Sequence, residues 1–411
     1  MEKIKSLFKG DIRKYGMIIA LVSITILFQV LTDGILLKPL NLTNIILQNS
    51  YILILAIGML FPILTGNVDL SVGSIVAFIG ALAAILMVKN GVSVPVAIVI
   101  CLAAGALIGA WQGFWIAYVK IPAFIVTLSG MLVFRGLTLY ILDGQTLAPF
   151  PESFQVISSG FIPDIASGTL NMTAIIIGIL CSIVFIVLEI SKRKNKIKYK
   201  FEVESTGKLI AKCVAILIII NVFTYTLSIY KGLPTVLILL GVLIIAYSFL
   251  SNKTILGRHV YALGGNEKAA GLSGVKTKKN MFLVYVNMGL MAALAGLVFA
   301  ARLNAATPKA GNGFELDAIA ACYIGGASAM GGIGTVSGAI VGGLVMGILN
   351  NGMSILGIGV DIQQAIKGLV LLAAVAFDVY TKSRGSKVVE NKDKDDNKPT
   401  QDESNLKSEN I

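Results

Sequence analysis

The stretch Ser50-Tyr-Ile-Leu-Ile-Leu-Ala-Ile-Gly-Met-Leu-Phe-Pro-Ile-Leu-Thr65 contains no charged residue and ends at a polar break, Gly66-Asn-Val-Asp69. A helix needs ~20 mainly apolar residues to cross the hydrocarbon core of a bilayer. Twelve apolar runs of roughly this order lie between residues 15 and 380, several of them short or interrupted by Gly and Pro. The pattern predicts an all-α polytopic membrane protein. Two of the runs, Ser50 to Thr65 and Ala318 to Ala329, are candidates for half-helices or re-entrant segments.

The composition excludes an ordinary soluble enzyme. Of the 411 residues, 56% are hydrophobic and 14% are charged, whereas soluble domains carry about 25% charged residues. The net charge of +12 lies entirely before residue 381, because the remainder holds seven Lys or Arg and seven Asp or Glu. We expect the polar segment from Ser383 to Ile411 to be a disordered tail.

The distribution of Lys and Arg predicts the orientation. The N-terminus and the segments Lys192 to Lys200 and Lys253 to Lys279 are rich in Lys and Arg, whereas Asp143 to Gly168 contains neither. Since cytoplasmic loops carry an excess of positive charge, both termini are predicted to be cytoplasmic in a multi-pass protein of the cell (inner, cytoplasmic) membrane. The first apolar run is too long for a cleavable signal peptide and is expected to remain as a span.

Residues for metal, redox or phosphate chemistry are sparse. The four cysteines lie in apolar runs without a CxxC pair, and His259 is the single histidine. We therefore predict no metal site, no catalytic residue and no enzyme activity. No GxxxxGK[ST] loop is present, so any ATP that drives transport must be bound by another polypeptide.

Two rows of glycine repeat at a spacing of four, which places them on one helix face where two backbones can approach closely. These predicted packing residues are Gly105, Gly109, Gly113, Gly334, Gly338 and Gly342.

Two charged residues interrupt the apolar runs in the first half of the chain. Such residues are informative because an unpaired charge in hydrocarbon costs at least ~2.5 kcal/mol. Asp69 either caps the following helix, with Ser71 as a rival cap, or lines a polar solute path together with Ser71. Arg135 must face the bundle interior or reach the membrane surface, so it forms a structural ion pair or lines the path.

The second half contains further polar candidates. Asn287 and Asn350 lie in apolar surroundings, where an amide either joins helices or binds sugar hydroxyls. Glu315 and Asp317 border the tenth run, where we expect a solvated loop.

The segment Gly264 to Gly274 reads as a short helical stretch between glycines. Its small Ala269-Ala270 patch could fit into a groove on a partner protein. The alternative is that the segment is a basic cytoplasmic loop without a partner.

Five motifs in order resemble the permeases of bacterial ATP-binding-cassette importers for monosaccharides, the ribose and xylose branch, with the closest likeness to the multiple-monosaccharide permease. They are Gly66-Asn-Val-Asp-Leu-Ser-Val-Gly-Ser74, Ile121-Pro-Ala-Phe-Ile-Val-Thr-Leu-Ser-Gly-Met-Leu-Val-Phe-Arg-Gly136, Gly257-Arg-His-Val-Tyr-Ala-Leu-Gly-Gly-Asn-Glu-Lys-Ala-Ala270, Arg302 to Ala321 and Asn350-Asn-Gly-Met-Ser354.

The resemblance implies a transmembrane permease domain over 1–382, followed by a tail over 383–411. It implies about 10 core transmembrane helices plus an inserted pair (10–12 in total), with the basic linker and extra span at 191–230. This insert resembles the xylose and multi-sugar branch rather than a plain ribose permease.

The same resemblance implies a function and partners. The chain would form a homodimer in the lipid bilayer that imports xylose, galactose, arabinose or a similar sugar, with no role for nucleic acid. A separate ATPase subunit would bind ATP and Mg, and an extracytoplasmic sugar-binding protein would deliver the sugar. The implied ATPase-coupling loop consists of Asn266, Glu267, Lys268, Ala269, Ala270, Gly271, Ser273 and Gly274.

The rival function is an ion-coupled secondary sugar transporter. Such a protein needs an intramembrane carboxylate for the coupling ion, and Asp69 is the best candidate in this sequence.

Overall fold

The computed structural model describes residues 12–166, 168–201, 203 and 205–396, and it describes side chains between residues 16 and 380. Fifteen α-helices and no strands are found in this part of the chain. The helices are α1 (Ile12–Leu31), α2 (Pro39–Leu64), α3 (Val72–Ala84, extended by a π-helical turn, Ile85–Lys89), α4 (Val94–Ala117), α5 (Ala123–Leu142), α6 (Glu152–Ser159), α7 (Met172–Lys198), α8 (Thr206–Ser228), α9 (Thr235–Lys253), α10 (Ile255–Gly265), α11 (Glu267–Leu272), α12 (Thr277–Leu303), α13 (Phe314–Ile324), α14 (Val336–Ile355) and α15 (Val360–Asp396).

Local sequence signals set several helix boundaries. Pro39 occupies the first turn of α2, where its missing N–H is not needed. Asn171 and Thr335 cap α7 and α14 through side-chain oxygens that accept from backbone N–H groups. The helices α5 and α12 are followed by Asp143 and Asn304 in the left-handed conformation, at φ values of 50° and 54°, which Asp and Asn tolerate better than most residues.

Ten helices of the described chain are long and apolar enough to cross a membrane. Two further apolar segments are shorter, Gly16–Leu31 and the 11-residue α13. The prediction of an all-α polytopic membrane protein with some short segments is confirmed. The predicted half-helix at Ser50 to Thr65 is wrong, because this run is the second part of the 26-residue helix α2.

The bundle has two distinct ends, which α12 connects. Its 27 residues span about 40 Å at 1.5 Å per residue. Beyond its last residue, Leu147 and Ala306 exchange backbone hydrogen bonds, so the Asp143 to Gly168 segment lies at that end. The basic α10–α11 segment precedes its first residue, beside the C-terminus of α2. The acidic and basic segments therefore lie at opposite ends of the bundle.

Two of the crossings are discontinuous. Residues 65–71 are not helical, and α3 begins only at Val72. Residues 304–313, which we term the re-entrant loop, lead from the end of α12 to α13. The first residue of α13, Phe314, stacks on Tyr51 at 4.0 Å between ring centroids, and Tyr51 lies halfway along α2. The re-entrant loop thus descends to about the middle of the bundle.

The inserted region, 191–230, comprises the end of α7, the linker and α8, and α8 packs on α7 as an antiparallel hairpin at the periphery. In the 18-residue apolar stretch of α8, only 6% of the residues are buried within the chain, compared with 89% in the corresponding stretch of α2. The last helix, α15, continues to Asp396, beyond the start of the charged tail at Ser383. Residues 397–411, the end of that predicted disordered tail, lie outside the described residues.

Candidate functional site

The first turns of α3 and α13 meet where the two discontinuous crossings converge. A Cβ atom on Gly73 would lie 2.2 Å from the carbonyl oxygen of Gly311, and one on Gly311 would lie 1.9 Å from that of Gly73. Only glycine permits this backbone approach, and Gly311 also has a φ of +70°. Short helices whose N-termini meet inside a bundle are typical of substrate sites in membrane transporters.

A buried polar chain leads into this junction from the 65–71 segment. Asp69 is fully buried, and its Oδ1 accepts hydrogen bonds from the Ser71 backbone N–H at 2.8 Å and the Ser71 hydroxyl at 2.6 Å. Gln112 of α4 in turn donates to the Ser71 hydroxyl oxygen at 2.8 Å. Asp69 Oδ2 has no hydrogen-bond partner among the described residues. Asp69 therefore orders the backbone at the start of α3, and Ser71 makes no capping hydrogen bond.

Arg135 fastens the re-entrant loop from the other side. Its Nη1 donates to the carbonyl oxygen of Ala310 at 2.7 Å and, more weakly, to that of Pro308 at 3.4 Å. Arg135 also lines a cavity of about 710 Å³ that Thr146, Thr307, Lys309 and Asn312 border. Arg135 forms no ion pair within 4 Å with any residue that the structure describes, so its charge is met by loop carbonyls.

The expectation that a solvated loop accommodates Asp317 is wrong. Asp317 is fully buried in the first turn of α13. Lys367 of α15 lies 3.0 Å from its Oδ1 and 3.1 Å from its Oδ2, and the side chain of Asn350 lies next to the same carboxylate. The sequence interpretation failed because it placed the re-entrant loop outside the bundle, whereas the loop carries α13 into it.

A second polar cavity, of about 180 Å³, lies between α13 and α15. Its side-chain hydrogen-bonding groups come from Asn312, Glu315, Gln363, Gln364 and Lys367. A cavity holds one water once it offers about 15 Å³, so this one has room for a small polar solute. Asn312 lines both cavities, and the re-entrant loop thus separates two polar spaces.

Four of the five predicted path residues lie on the two discontinuous crossings or on helices that contact them. Asp69 and Ser71 lie just before α3, Arg135 holds the re-entrant loop, and Asn350 lies next to Asp317. Asn287 lies apart, where its Oδ1 accepts a hydrogen bond from the Tyr247 hydroxyl of α9.

Sequence reasoning did not identify Gln112, Asn312, Gln363, Gln364 or Lys367. A signal for Lys367 was present, because it is the single charge within the apolar run from Ile362 to Phe377. The other four are uncharged, and their contacts follow only from the fold.

Five of the six predicted packing glycines lie at close backbone contacts. A Cβ atom on Gly109 would lie 2.3 Å from the Tyr285 carbonyl oxygen of α12, and Gly105 and Gly113 approach the same helix. Gly338 and Gly342 of α14 meet the backbone of Gly325 and Ala321. Gly334 precedes α14 and meets side chains of Leu60, Leu64 and Ala327.

The predicted coupling loop forms α11 and its flanks at the basic end. Asn266 caps the helix by accepting from the Ala269 N–H at 3.0 Å, and Glu267 pairs with Lys120 at 3.0 Å. The Ala-Ala pair is divided, since Ala269 is exposed and Ala270 is buried against the chain itself. The exposed residues of the segment are Asn266, Glu267, Lys268, Ala269, Gly271, Leu272, Ser273 and Gly274.

No group of three or more His, Cys, Asp or Glu side chains that could hold a metal ion is found among the described residues.

The fold and the paired discontinuous crossings define a multi-pass membrane permease. Residues 41–375 match the model of the family described as the branched-chain amino acid transport system / permease component, and the chain belongs to this family.

Relatives with a printed name cover between 82% and 93% of this chain. The xylose transport system permease protein of Haemophilus influenzae is 41% identical over 93% of this chain and 100% of its own length. The Escherichia coli K12 protein of the same name is 39% identical over 91% and 93%, and the E. coli K12 ribose import permease protein is 36% identical over 82% and 85%. No solved structure gives a significant match.

Proposed function

We propose that this chain is the membrane-spanning subunit of an ATP-driven importer that carries a monosaccharide, with xylose as the first candidate, into the cell. The full-length similarity to xylose permeases supports the sugar class. The observation that carries the proposal is the junction of two discontinuous crossings between polar cavities.

The chemistry of the junction suits an uncharged polyol. Amides, carboxylates and backbone carbonyls offer both donors and acceptors to sugar hydroxyls. We place the solute path along the re-entrant loop, past Arg135, Asn312 and the α13–α15 cavity. The sugar would bind weakly here, because a path must release what it admits.

The orientation follows from the distribution of charge, and the partners are those that membership of a permease family implies. The protein lies in the inner membrane, and its basic end faces the cytoplasm by the positive-inside rule. Both termini are then cytoplasmic. A partner ATPase, which binds ATP and Mg, docks on that face of a permease homodimer. A sugar-binding protein docks on the opposite face.

The coupling segment is built to transmit movement to the path. Leu272 is 92% exposed at the end of α11, and we assign it as the apolar anchor in the ATPase groove in place of Ala270. The preceding helix is tied to the bundle, since the Tyr261 hydroxyl donates to the Gly334 carbonyl oxygen at 2.7 Å and Gly264 lies against Leu64. Displacement of α11 would therefore shift the ends of α2 and the start of α14.

Uptake in proteoliposomes tests the proposal. The permease is reconstituted with its partner ATPase, with ATP inside the vesicles and xylose-loaded binding protein outside. These vesicles should accumulate labelled xylose. Omission of the ATPase or of ATP should abolish accumulation. Accumulation by the permease alone under a proton gradient would overturn the importer and favour the ion-coupled transporter.

Leu272→Ala tests the docking assignment separately. We expect ATP-driven uptake to fall at least about tenfold while folded yield is unchanged, because the side chain makes little contact within the chain. Ile245→Ala, at an apolar and 73% exposed position within α9 and away from both docking faces, is the matched control. Equal uptake by both variants would contradict docking at Leu272.

A further inference from the structure

The α7–α8 hairpin contains a basic cavity that plays no part in the proposed path. The cavity, of about 100 Å³, lies at the basic end of the bundle between the two helices. Its charged lining residues are Glu189, Lys192, Arg193 and Lys196 of α7 and Lys212 of α8. Among the described residues that line the cavity, four cations thus surround one carboxylate.

The spacing along α7 gathers these charges on one face. Glu189, Lys192, Arg193 and Lys196 follow at intervals of three and four, which brings side chains together on a helix. Glu189 pairs with Lys212 and, at 3.5 Å, with Lys192. Arg193 is held by a hydrogen bond from its Nη2 to the Thr206 hydroxyl at 2.8 Å.

The segment that forms the cavity carries a strong net positive charge. Residues 189–212 contain eight Lys or Arg and three Glu. Two of these acids, Glu202 and Glu204, lie outside the described residues, and even with both counted the segment keeps a strong positive charge.

The depth of the cavity matches the membrane surface. From Met172 to Lys192 is twenty helical steps, or about 30 Å, which equals the hydrocarbon thickness of a bilayer. The cations therefore lie at the level of the lipid headgroups. Next to them, towards the membrane interior, the hairpin exposes the apolar side chains of Val187, Leu188 and Val214.

We propose that this cavity binds the phosphate of an anionic phospholipid, whose acyl chains lie along the exposed apolar surface of α7 and α8. Basic pockets between transmembrane helices on the cytoplasmic side are suited to such headgroups. The gathered charges supply the attraction, and the cavity between the helices supplies a place for the phosphate. A lipid held here would fix the peripheral hairpin whatever solute the permease carries.

Lipid binding to the purified full-length permease tests the proposal, with native mass spectrometry as the readout. The probes are phosphatidylglycerol and phosphatidylcholine with identical acyl chains. Phosphatidylglycerol should bind at least about tenfold more tightly. Equal affinity for the two lipids would overturn the proposal without any variant.

A charge variant and a matched control locate the site. Arg193→Gln/Lys196→Gln should weaken phosphatidylglycerol binding about tenfold or more, since each Lys or Arg near an anionic membrane contributes several-fold. The control, Lys278→Gln/Lys279→Gln, removes the same charge from the other basic segment and should change affinity less than twofold. Equal losses in both variants would show general surface attraction and contradict a site in the hairpin.

A competition arm separates a lipid from a free anion. Inorganic phosphate at millimolar concentration should leave phosphatidylglycerol bound, because it lacks acyl chains to contact the hairpin. Complete displacement would show that the cavity is a site for small anions and would overturn the assignment to lipid.

Discussion

The helix α2 and the helix α8 are both strongly apolar, yet they occupy opposite environments. The apolar window of α2 is 89% buried within the bundle, whereas that of α8 is 6% buried. The difference lies in what surrounds each helix. Near α2 lie the discontinuous crossings and the close glycine contacts, while α8 contacts mainly its hairpin partner.

This contrast teaches that hydropathy does not locate the functional centre of a membrane protein. Lipid tails are as apolar as leucine, so an apolar surface gains little by burial between helices. Small residues and buried polar groups mark the interior instead. In this permease they mark the junction at Gly73 and Gly311.

The largest difference in stability between the α2 region and the α7–α8 hairpin should appear when an ion pair is broken in each. Lys367→Met removes the partner of the fully buried Asp317 and should lower the free energy of unfolding by about 3–5 kcal/mol, measured by denaturation in an SDS titration. Lys212→Met breaks the partly exposed pair with Glu189 in the hairpin and should cost under about 1 kcal/mol.

A double variant checks the cause. Lys367→Met/Asp317→Leu removes both charges and should recover most of the stability lost in Lys367→Met. Similar costs for Lys367→Met and Lys212→Met would remove the distinction between the two regions.

A bulky side chain should distinguish core glycines from peripheral ones. Gly109→Leu would place atoms against the backbone of Tyr285, and overpacking of this kind costs about 1–3 kcal/mol or more. We expect lower folded yield in size-exclusion chromatography. Gly241→Leu in α9, where a Cβ atom meets nothing within 4 Å, should leave the yield unchanged, and a reversed result would show that the Gly105–Gly113 row faces lipid.

The smallest effect is expected for Asp69→Asn. The amide keeps the oxygen that accepts from Ser71, so ATP-driven uptake should stay within about twofold of wild type. An ion-coupled transporter that uses this carboxylate would lose uptake altogether, and such a loss would favour that rival function.

Much of the architecture could be predicted from the sequence, because apolar length and Lys/Arg distribution are local properties. They indicated the all-α fold and the separation of acidic and basic segments at opposite ends. The descent of residues 304–313 into the bundle could not be read in this way, since a polar, glycine-rich stretch is also typical of an external loop. Asp317 was misplaced for this reason, and the role of Lys367 was missed with it.

The coupling segment shows a similar limit at smaller scale. Composition identified the stretch from Asn266 to Gly274, but the direction of each side chain depends on where α11 begins. The cap at Asn266 turns Ala270 towards the chain and leaves Leu272 exposed.

Water accessibility of the re-entrant loop tests the central claim most directly. In a variant without the four native cysteines, Asn312→Cys should react with a membrane-impermeant thiol reagent, and transported sugar should slow the reaction. Ile218→Cys in the exposed apolar face of α8 should not react. If Ile218→Cys reacted and Asn312→Cys did not, this result would contradict a solute path along the re-entrant loop.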